Sequence, residues 1–360
     1  MRKFDDFDSD ISTCSTNTRA DVRVRRDTDP EPVGQAVAGF ASFRSRRPGV
    51  FPLTAPEVLP VSVVVPTLGR AGPLASCLKS LAGCRPRAAE IVVVDQSHDP
   101  AVRELVESFP AAGARLLPCP GRGVSRGRNL GIRHSMHDVI LVTDDDCTVA
   151  SNWVGTAWRL MSSDNRQIIS GQVRPAGDPQ AVPSYKVDPT PHDFTGKAHG
   201  GALFPNNMVL NRELVLEAGG FDERFRPSEA AEDNDFGYRW LKAGKTLRYE
   251  PELVVWHHDW RTPAQLDELY RAYARGQGFF YAKHLRDGDL RMLRYIARDV
   301  YYALRGYASA LVNRRPSWTD PRRGLPRGLP GGLWYGYRVF FTSTAPEISE
   351  FPTTDRPPGS

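Results

Sequence analysis

The sequence predicts a doubly wound α/β domain with a mostly parallel sheet, a disordered N-terminal leader and a helical C-terminal extension. Three observations carry that prediction. Short β-branched runs at Val61–Val65, Glu90–Val94 and Val139–Val142 have the continuous apolar character of strands buried on both faces. Helical patterns separate them, the first with Leu74, Cys77, Leu78 and Leu81 on one face, and this alternation is that of βαβ units. Two of the strands end on acids, Asp95 and Asp144–Asp145–Asp146, and an open α/β sheet binds its ligands beyond the carboxyl ends of its strands.

The elements follow in order. Residues 1–58 alternate Asp, Ser, Thr and Arg with scattered prolines and show neither helical nor strand period, which predicts a disordered leader. Residues 59–146 form a first half: strand, helix, strand ending on Asp95, a helix near Val102–Phe109, a short strand at Ala114–Leu117, and a glycine-rich loop 121–129 leading into a helix and the acidic strand. Residues 147–260 form a second, looser half. It carries helical patterns at Trp153–Met161 and Ala230–Trp240, a strand at Ile168–Arg174, short strands at Leu247–Tyr249 and Leu253–Val255, and a long Pro- and Gly-rich loop. In the basic extension 261–315, Leu290, Leu293, Ile296, Val300, Leu304 and Leu311 fall on one helical stripe, with Arg291, Arg294, Arg298 and Arg305 away from it. Packing against the domain is the expected use of that stripe, and an anionic membrane surface the alternative. Residues 316–360 read as a Pro-, Gly- and Arg-rich tail of loop and disorder.

The net charge of +5 is uneven: residues 261–360 hold 16 Arg or Lys against 9 Asp or Glu. That surplus suits an acidic partner, a membrane surface or a phosphate-bearing acceptor. Five cysteines, odd in number and without a CxxC pair, suggest a reducing compartment. No stretch reaches the roughly 18 apolar residues of a membrane span. The expected setting is cytoplasmic, with the inner face of a membrane as the option left by the basic extension.

Three adjacent carboxylates raise one another's pKa unless a counter-charge is present, and a hard divalent cation with oxygen ligands is the natural one. An acidic turn or helix cap is the plainer alternative. The ordered run Val63–Val64–Val65–Pro66–Thr67, Val94–Asp95–Gln96–Ser97, Gly123–Val124–Ser125–Arg126–Gly127–Arg128–Asn129, Thr143–Asp144–Asp145–Asp146, Gly219–Gly220–Phe221–Asp222–Glu223 and Glu232–Asp233 resembles the family 2 glycosyltransferases of the GT-A fold over residues 60–260. The resemblance implies transfer of a sugar from a nucleotide diphosphate donor to a hydroxyl of a glycan, a lipid-linked saccharide or a small molecule, with inversion and with Mn²⁺ or Mg²⁺. It also implies roles. Asp144 and Asp146 match the outer acids of the DxD motif, Asp146 for the metal and Asp144 for ribose or metal. Asp95 has the position that holds the nucleobase, and Pro66 and Thr67 would line the same pocket. Asp233 is the candidate base and Glu232 an acceptor-orienting acid, with Asp235 as a possible assistant.

Other residues are read from their chemistry. Arg128 offers a fork of donors to a phosphate. His257, or failing it His258, supplies imidazole to the metal. Asn206 and Asn207 would hydrogen-bond an acceptor sugar, and Trp256 would stack on it. Turn, surface and core roles stand against each of these. The rival functions are a nucleotidyltransferase of related fold and a non-catalytic membrane- or nucleic-acid-binding module; nucleic acid is not an expected partner.

Overall fold

The computed structural model describes residues 57–342 apart from 180, 197–201, 226–229, 259–260 and 314–323. The leader expected over 1–58 therefore lies almost wholly outside the described residues.

The chain opens with β1 (Val58–Thr67), α1 (Ala71–Ala82), β2 (Arg87–Asp95), α2 (Pro100–Glu107), β3 (Ala114–Pro118), α3 (Val124–His134) and β4 (Val139–Val142). Strands β3, β2, β1 and β4 lie side by side in that order and are parallel. Side chains of a strand alternate between faces, and both faces are apolar here. Val61, Val63 and Val65 pack with Leu74, Leu78 and Leu81 of α1 on one side. Val64, Val92 and Val94 pack with Ile132 of α3 on the other. The chain runs outward from β1 to β3 and returns to place β4 on the opposite flank of β1. The carboxyl ends of β1 and β4 thus form the switch point where such sheets bind ligands.

The second half continues with β5 (Cys147–Val149), α4 (Trp153–Ser163), β6 (Ile168–Ala176), β7 (His192–Phe194), β8 (Met208–Asn211), α5 (Arg212–Glu217), α6 (Glu232–Lys242) and β9 (Leu247–His258). The sheet runs on through β4, β8, β6, β9 and β5, with β7 also pairing β9. Strand directions mix here: β8 is antiparallel to both β4 and β6, while β6 and β9 are parallel. The two short strands expected at 247–249 and 253–255 are one strand. Its register against β6 slips between Gly171 and Gln172, and this irregularity absorbs Pro251.

Three helices follow: α7 (Pro263–Arg286), α8 (Arg291–Asn313) and α9 (Leu325–Tyr337). Helix α7 starts on a capping box, Thr262 with Gln265, and has Pro263 in its first turn. Phe279, Phe280 and Tyr281 of α7 join Tyr238 of α6, Met292 of α8 and Leu329 of α9 in one cluster.

Helix α9 corrects the expectation of an irregular tail over 316–360, as far as the described residues reach. Its glycines recur every fourth position, at Gly324, Gly328, Gly332 and Gly336, so they line one face. That face lies directly on the α7 backbone: a Cβ at Gly332 would stand 1.9 Å from the Arg275 carbonyl oxygen, and one at Gly328 2.4 Å from that of Arg271. The residues that lower helix propensity are the ones that permit the packing. Gly332→Ala would gain about 1 kcal/mol of helix propensity but forces the helices apart, a cost of about 1–3 kcal/mol. A fall in the thermal unfolding midpoint is expected, and a rise would contradict this packing.

Candidate active site

Thr67 and Asp95 sit side by side at the carboxyl ends of β1 and β2, and the three acids follow β4 across the switch point. Each acid has its own environment. Asp145 is fully buried; it accepts from the Thr67 hydroxyl at 2.6 Å and pairs with the Arg70 guanidinium. Burial pushes its pKa up to about 6, against the opposing pull of Arg70. Asp146 is buried and meets Arg70 at 2.9 Å, His257 Nε2 at 3.6 Å and Arg261 at 3.9 Å. Asp144 is partly open and pairs with Arg128 at 3.2 Å.

Helix α3 spends a polar face on this site. Ser125, Arg128 and Asn129 are all buried. Arg128, in the second turn rather than at the helix start, bridges Asp144 and Glu232, the latter at 2.7 Å. Asn129 donates to the Phe221 carbonyl and accepts from the Phe221 amide, at 2.8 and 2.9 Å, pinning the Gly-Gly-Phe-Asp turn. Gly220, at φ +61°, fits there because a Cβ would lie 2.6 Å from the Asn129 carboxamide oxygen. The neighbours Arg128 and Asn129 thus tie the strand-end acids, the turn and the head of α6 into one unit.

Helix α6 brings Glu232 and Asp233 to this edge. The preceding Ala231 adopts φ +81°, a left-handed conformation costly for a residue with a Cβ. The Asp233 carboxylate takes the Asn234 amide at 2.8 Å and forms no ion pair among the described residues. Burial raises its pKa, partly opposed by that amide and by Arg128. Burial, with the charge of Asp233, also raises that of Glu232. Nε of Arg128 and Oε2 of Glu232 are buried without a hydrogen-bond partner. Such orphaned groups cost stability unless something satisfies them.

The tandem histidines part company because neighbouring residues of a strand face opposite ways. His257 is buried towards the acids and holds the Ser184 carbonyl through Nδ1 at 3.1 Å, which leaves Nε2 towards Asp146. Burial works against the His257 imidazolium, but Asp146 outweighs it and the pKa is raised. His258 is exposed and meets the Thr148 hydroxyl. Ligand atoms of Asp146, Cys147 and His257 lie within 4.8 Å of one another. A carboxylate and an imidazole fixed through its other nitrogen fit a borderline divalent cation, provided the Arg70 fork gives way.

Several expected contacts fall elsewhere. Asn207 is fully buried; its carboxamide donates to the Gln172 and Leu253 carbonyls and accepts from the Trp153 indole, each at 2.9 Å. It knits β6, β9 and α4 together and has no group left for an acceptor sugar. Asn206 is buried too; its backbone carbonyl accepts from Thr143, and its carboxamide oxygen is buried without a hydrogen-bond partner. Trp256 alternates with His257 and so faces away from the acids. Asp95 accepts from the Ser97 amide and hydroxyl at 2.8 and 2.6 Å, the turn role set against nucleobase recognition. Thr67 engages Asp145 through its hydroxyl, and Pro66 is buried beside it. Glu232 binds Arg128 and Asp235 binds Lys283 and His284, so neither is placed as an acceptor contact. Sequence reasoning missed Arg70 and Arg261. The Gly69–Arg70 step straight after β1 was the available signal for the first; Arg261 carries none.

A carboxylate cluster, a buried arginine and an imidazole thus meet at the switch point of a curled, mostly parallel α/β sheet. Residues 62–207 match the family model described as Glycosyl transferase family 2. The pre-mycofactocin glycosyltransferase of Mycobacterium tuberculosis (strain ATCC 25618 / H37Rv) is 26% identical over 288 residues, covering 75% of this chain and 51% of the relative. The succinoglycan biosynthesis protein ExoM of Rhizobium meliloti (strain 1021) is 28% identical over 215 residues, 56% of this chain and 67% of the relative. The chain spans about half the length of the first of these. Among solved structures, the mannosyltransferase PcManGT from Pyrobaculum calidifontis, in complex with GDP-Man and Mn²⁺, has the same fold, with TM-score 0.55 and 19% identity over 76% of this chain and 87% of that one.

Proposed function

We propose that this protein transfers a sugar, with inversion, from a nucleotide diphosphate donor to a hydroxyl of a glycan or lipid-linked acceptor. The observation that carries the reading is the gathering of Asp144, Asp146, His257, Arg128 and Asp233 at one carboxyl edge of the sheet. Asp146 and His257 would hold a divalent cation, with Asp144 beside them. When bound, such a cation supplies Lewis-acid stabilisation of charge on the departing diphosphate. Arg128, buried with Nε unpartnered, would orient a phosphate oxygen through its fork. Arg70, paired with Asp145 and Asp146, would turn to the phosphates where a cation takes over those acids. Asp233 would take the proton of the attacking hydroxyl on the face opposite the leaving group.

Calorimetric titration of GDP, UDP and TDP, with and without Mn²⁺ or Mg²⁺, tests the donor half of this reading. GDP with Mn²⁺ is the first probe, because PcManGT was solved with GDP-Man and Mn²⁺. One diphosphate should bind only with metal, and Asp146→Ala should weaken it at least about ten-fold, the loss that even an outer-shell partner of a metal commands. Failure of every diphosphate to bind in either metal would refute the donor site.

A further inference from the structure

The apolar stripe of α8 faces solvent. Leu290, Leu293, Val300 and Leu304 are 70, 55, 43 and 64% exposed, and Tyr301 joins them. Met292 and Ala303 are the residues turned inward, with Tyr295 and Ile296 packed against the cluster shared with α7 and α9. The expectation that the leucine stripe packs on the domain is therefore reversed at these positions. At roughly 100° per residue, exposed Arg291, Arg294 and Arg305 border one edge of the stripe. Asp299 is the one acid between Leu290 and Arg305. It is turned inward, where it accepts from the Tyr281 hydroxyl and meets Arg298 at 3.3 Å. Helix α9 and the turn Arg338–Thr342 that follows it expose a stacked row of their own, Trp334, Tyr337 and Phe341, with exposed Arg327 and Arg338.

We propose that the outer face of α8 docks on an anionic phospholipid bilayer, lying in the interface without crossing it. No helix among the described residues is long and apolar enough to span a membrane. Charge selects the partner. A second copy pairing stripe to stripe would bring this arginine edge against another basic face with no exposed acid on α8 to match it. An anionic bilayer accepts leucines at the acyl boundary and arginines at its phosphates. The inference rests on α8 alone and not on the donor site.

Co-sedimentation of the full chain with phosphatidylcholine vesicles, with and without phosphatidylglycerol, provides the test. Binding should require phosphatidylglycerol and weaken with salt. Arg294→Gln combined with Arg305→Gln should reduce it on the order of twenty-fold, about five-fold per charge. Leu293→Ser with Leu304→Ser should reduce it at least about ten-fold, since each leucine loses its buried apolar area. These four positions are exposed, so circular dichroism should be unchanged. The proposal is overturned by equal binding to both vesicles, by binding that survives the leucine changes, or by a stable dimer that the leucine changes dissociate.

Discussion

Asp233→Asn is expected to lower the rate of sugar transfer by about 10²–10⁴, the span that a positioned general base contributes, while leaving affinity for the donor diphosphate nearly unchanged. Asparagine keeps the shape and the cap on Asn234 but cannot accept a proton from the acceptor hydroxyl. The environment of the wild-type carboxylate suits this proposed part. Asp233 sits in the first turn of α6, is half-buried, and has Arg128 as its principal cationic neighbour. Burial is the largest influence and raises its pKa above the ordinary value near 3.9. A stronger base is thereby available, at a cost in acid: the rate should fall as pH drops through the raised pKa and the carboxylate takes up a proton. The wild-type profile of turnover against pH should show that acid limb displaced upward from the ordinary aspartate value. A loss of less than about ten-fold in Asp233→Asn would remove Asp233 from the base role.

Asp235→Ala should act two residues away by a different route, through stability. Residues two apart on a helix face roughly opposite sides, and Asp235 points into the junction of α6 with α7. It is fully buried and meets Lys283 at 2.8 Å, His284 at 3.0 Å and Arg239 at 2.8 Å. Burial opposes its charge, but these three partners overcome it and hold the carboxyl far below the usual range. Removing it leaves buried Lys283 with Asp222, at 2.7 Å, and strands His284, whose Nδ1 has no partner. Breaking a buried pair in this way costs about 3–5 kcal/mol.

The sign of the pH effect follows from the depressed pKa. The contribution is fully present above the unfolded value, near 3.9, and is lost as pH falls through the folded value. Asp222, lowered to about 2 mainly by Arg224 and Lys283 against its burial, adds to the same acid sensitivity. Urea unfolding should show the full gap between wild type and Asp235→Ala at neutral pH and a narrowing gap in strong acid. A neutral-pH gap under about 1 kcal/mol would show the cluster to be dispensable.

Much of this was legible in the residues themselves. Val61–Val65, Glu90–Val94 and Val139–Val142 alternate with helical patterns, and that order alone dictates a parallel sheet with its acids at the carboxyl edge. Those signals are local, so they survive without tertiary information. The choice between His257 and His258 was not legible, because it turns on which side of β9 faces Asp146. Asn207 reads in sequence as an acceptor-sugar contact or a turn residue; only the meeting of α4, β6 and β9 around it shows that every polar atom of its carboxamide is engaged. The glycines of α9 argue against a helix until the α7 backbone lies on them, and the leucines of α8 argue for burial until the inner face is seen to be filled by Met292 and Ala303. Sequence by itself determined the sheet and the acid edge, since periodicity and adjacent charges act over a few residues. Tertiary structure decided which polar groups remain unpaired at that edge and which apolar ones remain outside, because both depend on neighbours distant in the chain.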